Sequence, residues 1–250
     1  MQYIALFKHA AFCYNRSIRK ERTKTMPIPV RKQAEERLTA KALVYKTLRE
    51  WIVDGTLQPG EQIFDQEIAK YFSVSRTPVR EAMQLLADQK LIEIQPGKES
   101  RVATFDYDEI EKSYIMLAEL HALALQFAWE SLTEEDIREM EGVNEAMKNR
   151  RNAADLHRSQ TLDKEFHDVV VKKAGNDFLK NFTDILDIQV LRIENLYFEE
   201  ESNYEESWKA HERILQAIRD KDLQAACAAM RENWMRTISL VQRLKEGEHA

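Results

Sequence analysis

Glycine and proline are scarce in this chain. Its 250 residues hold six Gly and five Pro, against roughly 12% for the two together in an average chain. So few turn-formers exclude a collagen-like chain, a Gly-loop-rich scaffold and a large all-β fold. There is no Gly-rich phosphate loop, which removes the NTPase and dinucleotide-enzyme readings. The few that occur are unevenly placed. All five prolines lie at or before Pro96, together with Gly55, Gly60 and Gly97, and beyond Glu99 only Gly142, Gly175 and Gly247 interrupt the chain. This asymmetry predicts a long helical C-terminal part. Cysteine is nearly absent too. Cys13 and Cys227 form no CxxC pair, which argues against a disulfide framework or a Cys-rich zinc site and for a reducing, cytoplasmic location. No run of 18 apolar residues occurs, so no membrane span is expected. The N-terminal apolar run is broken by Lys8 and His9, and positive charge follows it instead of preceding it, unlike a secretion signal.

What is present suffices for a core. Apolar residues make up 44% and charged residues 32%, and the length fits one or two domains. The net charge of −6 hides a gradient. Residues 1–38 carry 9 Lys/Arg against 3 Asp/Glu, residues 39–103 carry 9 against 9, and residues 104–250 carry 19 against 31. An acidic total therefore does not exclude nucleic acid as a partner.

Residues 1–38 show no sustained period and are read as a flexible basic arm. Met26 offers a second translation start, so residues 1–25 are expected to be an upstream extension. Residues 39–103 give three helices and a hairpin. Thr39 caps the first, with Leu43, Val44, Leu48, Trp51 and Ile52 on its apolar face and Gly55 at its end. Leu57 to Glu61 reads as a turn. Asp65 caps a second helix burying Ile68, Ala69 and Phe72. Ser75 caps a third, with Pro78 in its first turn and Val79, Ala82, Met83, Leu85 and Leu86 buried. Leu91, Ile92 and Ile94 alternate into a strand, Pro96-Gly97 turns, and Arg101 to Ala103 returns. That order is a winged helix-turn-helix.

Residues 104–250 read as helices only. Asp106 or Asp108, Thr133, Asp155, Asn176, Asn203 and Asp222 are the expected N-caps. Ile185, Ile188, Val190, Leu191 and Ile193 have bundle spacing. The run Glu194 to Glu199 looks like a protease tag site but lacks its glutamine, so it reads as natural helix. The fold class is mainly α: an N-terminal winged helix-turn-helix plus a C-terminal all-α helical bundle, with the boundary near Thr104.

The run Ser75 to Ala82 carries the DNA chemistry. A helix N-terminus presents free N–H groups and positive dipole to phosphate. Arg76 and Arg80 are four apart on one face, and an arginine fork matches O6 and N7 of guanine. The plain alternative is a pair of surface arginines bonded to Glu81 or Glu67. The run Leu57-x-Pro59-Gly60-Glu61, then Ile68-Ala69, then Val74 to Ala82 as VSRTPVREA, resembles the GntR family of bacterial transcription regulators over residues 41–103. The resemblance implies a homodimer on a two-fold operator in double-stranded DNA, usually a repressor. It assigns DNA contact to Ser75, Arg76, Thr77, Pro78 and Arg80, and to Gly97 and Lys98 at the wing. Gln66 stands where some relatives have a phosphate-binding arginine.

In the C-terminal part Asp163 and His167 are one turn apart, at metal-ligand spacing. His211 and Asn233 lie on later helices that can converge with them. Leu162-Asp163-x-x-Phe166-His167 with Ala174-Gly175-Asn176, and Ala210-His211 to Ile218 with Asp222-x-x-x-Ala226, resemble the FCD effector domain of FadR-like GntR regulators over most of 106–243. The resemblance implies a divalent metal of the zinc, nickel or manganese class on one Asp and three His. Here Asp163, His167 and His211 match, and Asn233 stands at the third histidine; its amide oxygen suits a hard cation better than zinc. Many relatives carry an effector-binding arginine four residues before the position of Glu119. This chain has Ile115 there, with Tyr114 and His121 nearby, so Tyr114 and Glu119 are the expected pocket residues. An organic acid beside a metal and an acyl ligand without one both remain open as effectors. A metal-dependent enzyme lacks an HExxH-type base and leaves the DNA-reading run unexplained, and the paired helical faces that fit a structural adaptor equally make an effector core or dimer interface. No enzyme activity and no membrane contact are expected.

Overall fold

The computed structural model describes residues 39–94, 99–149, 156–197 and 201–247, with backbone alone at 156–159 and 201–204. The expected arm at 1–38, with Met26 and Cys13, and the cap at Asp155 lie outside them.

The head begins with α1 (Ala40–Val53), whose first turn is capped by the Thr39 hydroxyl accepting from Ala42 N–H at 3.2 Å. Val44, Leu48, Trp51 and Ile52 are buried along one side. Then come β1 (Gln62–Ile63), α2 (Asp65–Phe72), α3 (Arg76–Asp88), β2 (Ile92–Glu93) and β3 (Ser100–Val102). The sheet is antiparallel with order β1-β3-β2, pairing Gln62 with Arg101 and Ile92 with Val102. The hairpin expectation lacked β1. Two residues give no period to read, and only the partner β3 makes them a strand. Leu91 and Ile94 fall outside β2; Leu91 is fully buried in the head core instead.

Three local readings are corrected. Asp65 does not cap α2. It is the first helical residue, Phe64 holds the cap position without a side-chain bond, and the Asp65 carboxylate is used elsewhere. Ser75 holds the cap position of α3 but its side chain makes no capping bond. Leu85 is exposed, leaving Val79, Ala82, Met83 and Leu86 as the buried face.

The bundle has α4 (Tyr107–Ala128) at its centre, followed by α5 (Glu134–Lys148), α6 (Leu156–Lys173), α7 (Asp177–Tyr197), α8 (Glu201–Arg219), α9 (Leu223–Met235) and α10 (Ile238–Lys245). α4 packs against α6, α7, α9 and α10, while α5 and α8 close the far side. Asp106, Thr133, Asn176 and Asp222 each accept a hydrogen bond from a first-turn N–H. At Thr133 the Asp136 side chain bonds back, completing a capping box. α8 starts at Glu201, two residues before Asn203. Ile188, Val190 and Ile193 are buried, but Ile185 is exposed. No described helix is long and apolar enough to cross a membrane.

The two cores are joined along one face of α7. Ile188 belongs to the head's core. Gln189 Nε2 donates to the Gln89 carbonyl at 2.6 Å, and Asn195 Nδ2 donates to the Val53 carbonyl at 2.9 Å. The buried Arg192 guanidinium donates to the Ala103 carbonyl and lies 4.4 Å from the centre of the Phe105 ring. Gly55 sits under this face at φ +77°, and a Cβ there would come within 2.6 Å of Leu196 Cδ2. The positive φ is what favours glycine here, and any added Cβ would also have to push the Leu196 side chain aside.

Candidate functional site

The structure gathers the expected DNA-reading residues at one end of the head. Ser75, Arg76, Thr77, Arg80 and Gln66 are exposed and Pro78 is half-buried. Their positions follow from α3 burying its opposite face, which leaves the N-terminal turn outward. Gly97 and Lys98 lie outside the described residues.

The geometry centres on neither Glu81 nor Glu67 but on the first residue of α2. Both arginines converge on Asp65. Arg76 Nη2 donates to both carboxylate oxygens, at 2.8 and 2.9 Å, and Arg80 Nε donates to Oδ2 at 2.6 Å. Burial pushes the Asp65 carboxyl up, but the bonds from Arg80 and Arg76 outweigh it and hold it below the usual carboxylate range. Arg80 thus spends only Nε on its anchor. Its two terminal nitrogens remain in the fork geometry that fits a guanine edge. Asp65 is 11 and 15 residues from its partners, spacings that no helix face predicts. Only the packing of α2 on α3 brings them together.

The second site is inside the bundle. Asp163, His167 and His211 bring one donor atom each within 4.8 Å of the others. Asp163 Oδ1 is 3.4 Å from His211 Nε2 and Oδ2 is 3.9 Å from His167 Nε2. Donors sharing one ion at roughly 2.0–2.2 Å bonds stand about 3–4 Å apart, so the set fits a divalent metal. Burial pushes the Asp163 carboxyl up, but His211, His167 and Arg236 outweigh it and hold it at about 2. Burial drives His167 well below the usual histidine range, so its ring is neutral and able to ligate. Asn233 closes the set. Its Nδ2 is 3.1 Å from His167 Nε2, and its buried Oδ1 has no hydrogen-bond partner. An amide end-for-end turn would aim that oxygen at the cluster.

A cavity of about 50 Å³ opens beside these residues. Asp163, Gln160, Glu194, Ser207, Asn233 and Arg236 supply its polar wall, and Met147, Trp234 and Leu240 its apolar one. Gln160 is 5% exposed and both its amide atoms lack partners among the described residues. The Arg236 guanidinium donates to Ser207 Oγ at 2.8 Å. Tyr114 is fully buried and donates its hydroxyl to Glu194 at 2.7 Å. Glu119, in contrast, faces outward and is bonded to Arg231 at 2.9 Å. It is not among the residues lining the cavity, because its position on α4 falls on the solvent side of the helix. Ile115 is exposed there too. His121 is buried against His167 and Trp234, with ring centres 5.0 and 4.9 Å away, and burial takes it down to about 3. A second acidic group, Asp168, Asp184 and Asp187, surrounds Lys164 Nζ at 2.7, 3.6 and 3.1 Å, so an ammonium already stands at its centre.

Glu194 gives a pH prediction. Burial pushes its carboxyl from 4.5 up to about 8. The folded protein then keeps a proton that the unfolded chain has lost. Stability from this group is full below about pH 4.5, falls across the window and is gone above about pH 8. Glu194→Gln is expected to stabilise the protein by up to about 5 kcal/mol at pH 8.5, read as a higher melting temperature, and to leave the melting temperature unchanged at pH 4. Equal shifts at both pH values in thermal unfolding refute the assignment.

Sequence reasoning missed Asp65, Gln160, Glu194 and Arg236, whose place in the sites is set by residues far away in the chain. Arg236 is the residue nearest to a legible signal, three positions after Asn233.

Comparison with known proteins agrees with this geometry. Residues 40–102 match the model of bacterial regulatory proteins of the gntR family, and residues 113–234 match the FCD domain. The gluconate operon transcriptional repressor of Bacillus subtilis is 26% identical over 198 residues, 75% of this chain and 79% of that protein. The Escherichia coli transcriptional repressor RspR is 24% identical over 203 residues, 81% and 89% of the two chains. Among solved structures, E. coli McbR/YncC superposes with a TM-score of 0.68 at 18% identity, over 84% of this chain and all of that one. A GntR regulator from Rhodococcus sp. RHA1 gives 0.70 at 16% identity, over 82% and 98%. These likenesses fix the fold, and the family and its relatives are transcription regulators, not enzymes. A GntR-type helix-turn-helix head joined to a helical FCD domain makes this chain a member of the GntR family of bacterial transcriptional regulators.

Proposed function

We propose that this protein is a ligand-responsive repressor that binds a two-fold-related operator as a homodimer in the cytoplasm. The observation that carries the reading is the pair Arg76 and Arg80, exposed at the head of α3 and held by one carboxylate. Residues 39–103 read DNA. Arg80 forks onto a guanine, while Ser75, Thr77, Pro78 and Gln66 set the helix against the backbone with the wing residues Gly97 and Lys98. Repression is supported by the two repressor relatives. A homodimer is supported by the apolar side chains left exposed on the adjacent helices α4 and α7. These are Ile115, Met116, Leu123 and Phe127 on α4, and Phe178, Phe182 and Ile185 on α7, with Phe178 76% exposed. Two copies pairing through one such face form a closed two-fold interface.

Residues 104–250 carry the pairing face and the effector cavity. Asp163, His167 and His211, with the oxygen of Asn233, would hold a divalent ion of the zinc, nickel or manganese class. When bound, that ion supplies positive charge to anchor an anionic effector. The cavity's size favours a compact organic acid over a long acyl chain. Coupling runs along α7. Glu194 lines the cavity, while Ile188, Arg192 and Asn195 of the same helix hold the head. A ligand that favours one position of α7 thereby selects one spacing of the two heads.

The test is selection from random duplex DNA by the full chain at fixed salt, with sedimentation of the complex. Enrichment of a two-fold-related sequence bound by two chains is expected. Enrichment of a single half-site bound by one chain, or of nothing, overturns the proposal.

A further inference from the structure

We infer that Asn144 is a positioning residue of the bundle site: it fixes the tautomer of His211 so that the bare Nε2 lone pair faces Asp163. The inference rests on the metal reading above but concerns a residue on a different helix that ligates nothing.

Asn144 lies on α5 and is 5% exposed, one of few buried polar residues. Two contacts determine which way its amide points. Its Nδ2 donates to the Trp208 carbonyl at 3.1 Å, and its Oδ1 stands 3.1 Å from His211 Nδ1. A backbone carbonyl only accepts, so the amide nitrogen must face Trp208. That leaves the amide oxygen toward the imidazole, and an amide oxygen also only accepts. Nδ1 of His211 therefore carries the proton. In a neutral ring the other nitrogen is then unprotonated. It is Nε2 that lies 3.4 Å from Asp163 Oδ1, buried and without a hydrogen-bond partner. An ion held between His211 Nε2 and Asp163 Oδ1 would meet a lone pair from each of them.

The ring has no freedom to escape this choice. His211 is fully buried, and its plane is stacked on Phe166 at 3.8 Å between ring centres and 7° between planes. Phe166 fixes the plane, Asn144 fixes one edge, and the other edge is left to the metal. His167 has no equivalent device. Its Nδ1 has no hydrogen-bond partner, and Asn233 approaches Nε2 itself. The two histidines are thus unequal, and His211 is the ligand presented ready-made.

The experiment has two arms. In the metal-free wild-type protein, long-range proton–nitrogen NMR of the imidazoles reports the tautomer directly, without any substitution. His211 is expected with its proton on Nδ1. In the second arm, Asn144→Leu keeps the branched side-chain shape but can neither accept nor donate. Equilibrium dialysis against Mn²⁺ and against Zn²⁺ is expected to show an affinity about 10–100-fold weaker than wild type, with His211 shifted toward the Nε2–H form. Thermal unfolding of the metal-free variant checks that the bundle still folds. A wild-type His211 protonated on Nε2 alone, or a folded Asn144→Leu variant with unchanged metal affinity, overturns the inference and leaves the metal reading intact. Wild-type protein that takes up neither ion sinks the metal reading, and this inference with it.

Discussion

Arg80→Ala is expected to weaken operator binding by about 2–6 kcal/mol while leaving the chain dimeric and folded. A guanidinium fork on a guanine contributes roughly 1–3 kcal/mol, and a dimer on a two-fold site presents it twice. Exposure makes the substitution mild for the fold, because the Arg80 side chain is 65% exposed and its one anchor is a surface carboxylate. Arg76→Ala is expected to act in the same direction but less strongly, since Arg76 commits a terminal nitrogen to Asp65. Asp65→Asn acts differently. It removes the carboxylate that aims both arginines and also a negative charge beside the phosphates. Binding to scrambled DNA should therefore tighten while binding to the operator does not, so the specificity ratio falls. Fluorescence anisotropy against operator and scrambled duplexes at one salt concentration measures all three. Unchanged operator affinity of Arg76→Ala and Arg80→Ala defeats the assignment of α3 as the reading helix.

The head was legible in the sequence because its signals are local. Thr39, Pro78 and the VSRTPVREA run act within a turn or two of themselves, and the apolar positions of α1 and α3 repeat at helical spacing. Where the reading failed, the deciding force came from elsewhere in the chain. β1 is a strand only because β3 lies beside it. Asp65 has the composition of a cap, but two arginines on the next helix compete for its carboxylate and win. Leu85 fits the apolar stripe of α3 by spacing, yet no described element covers that side. In the bundle, the family resemblance supplied Asp163, His167, His211 and Asn233, and the fold brings them together. It could not supply Asn144, Gln160, Glu194 or Arg236. These residues meet the cluster from α5, α6, α7 and the α9–α10 junction, so their roles exist only in the packed structure.

Arg192→Ala is expected to cause the largest loss of stability of any single change discussed, about 3 kcal/mol or more. Burial lowers the Arg192 guanidinium to about 10, so it is charged at neutral pH inside the protein. It stays there because it has work for its polar end and its flat face. It donates to the Ala103 carbonyl at the end of the head and lies over Phe105 at the start of the bundle. Truncation leaves that carbonyl without its donor and opens a cavity where the largest fully buried side chain stood. Arg192→Met separates these terms. It refills most of the volume and removes the cost of burying a charge, so much of the lost stability should return. What should not return is the connection between head and bundle, because methionine cannot bond the Ala103 carbonyl. Wild-type protein is expected to unfold in a single calorimetric transition. In both variants the head should melt separately and earlier, with Ile188, Gln189 and Asn195 of α7 left to hold it. A single transition in Arg192→Met, with effector-dependent DNA release intact, shows that α7 transmits through packing alone and removes Arg192 from the coupling path.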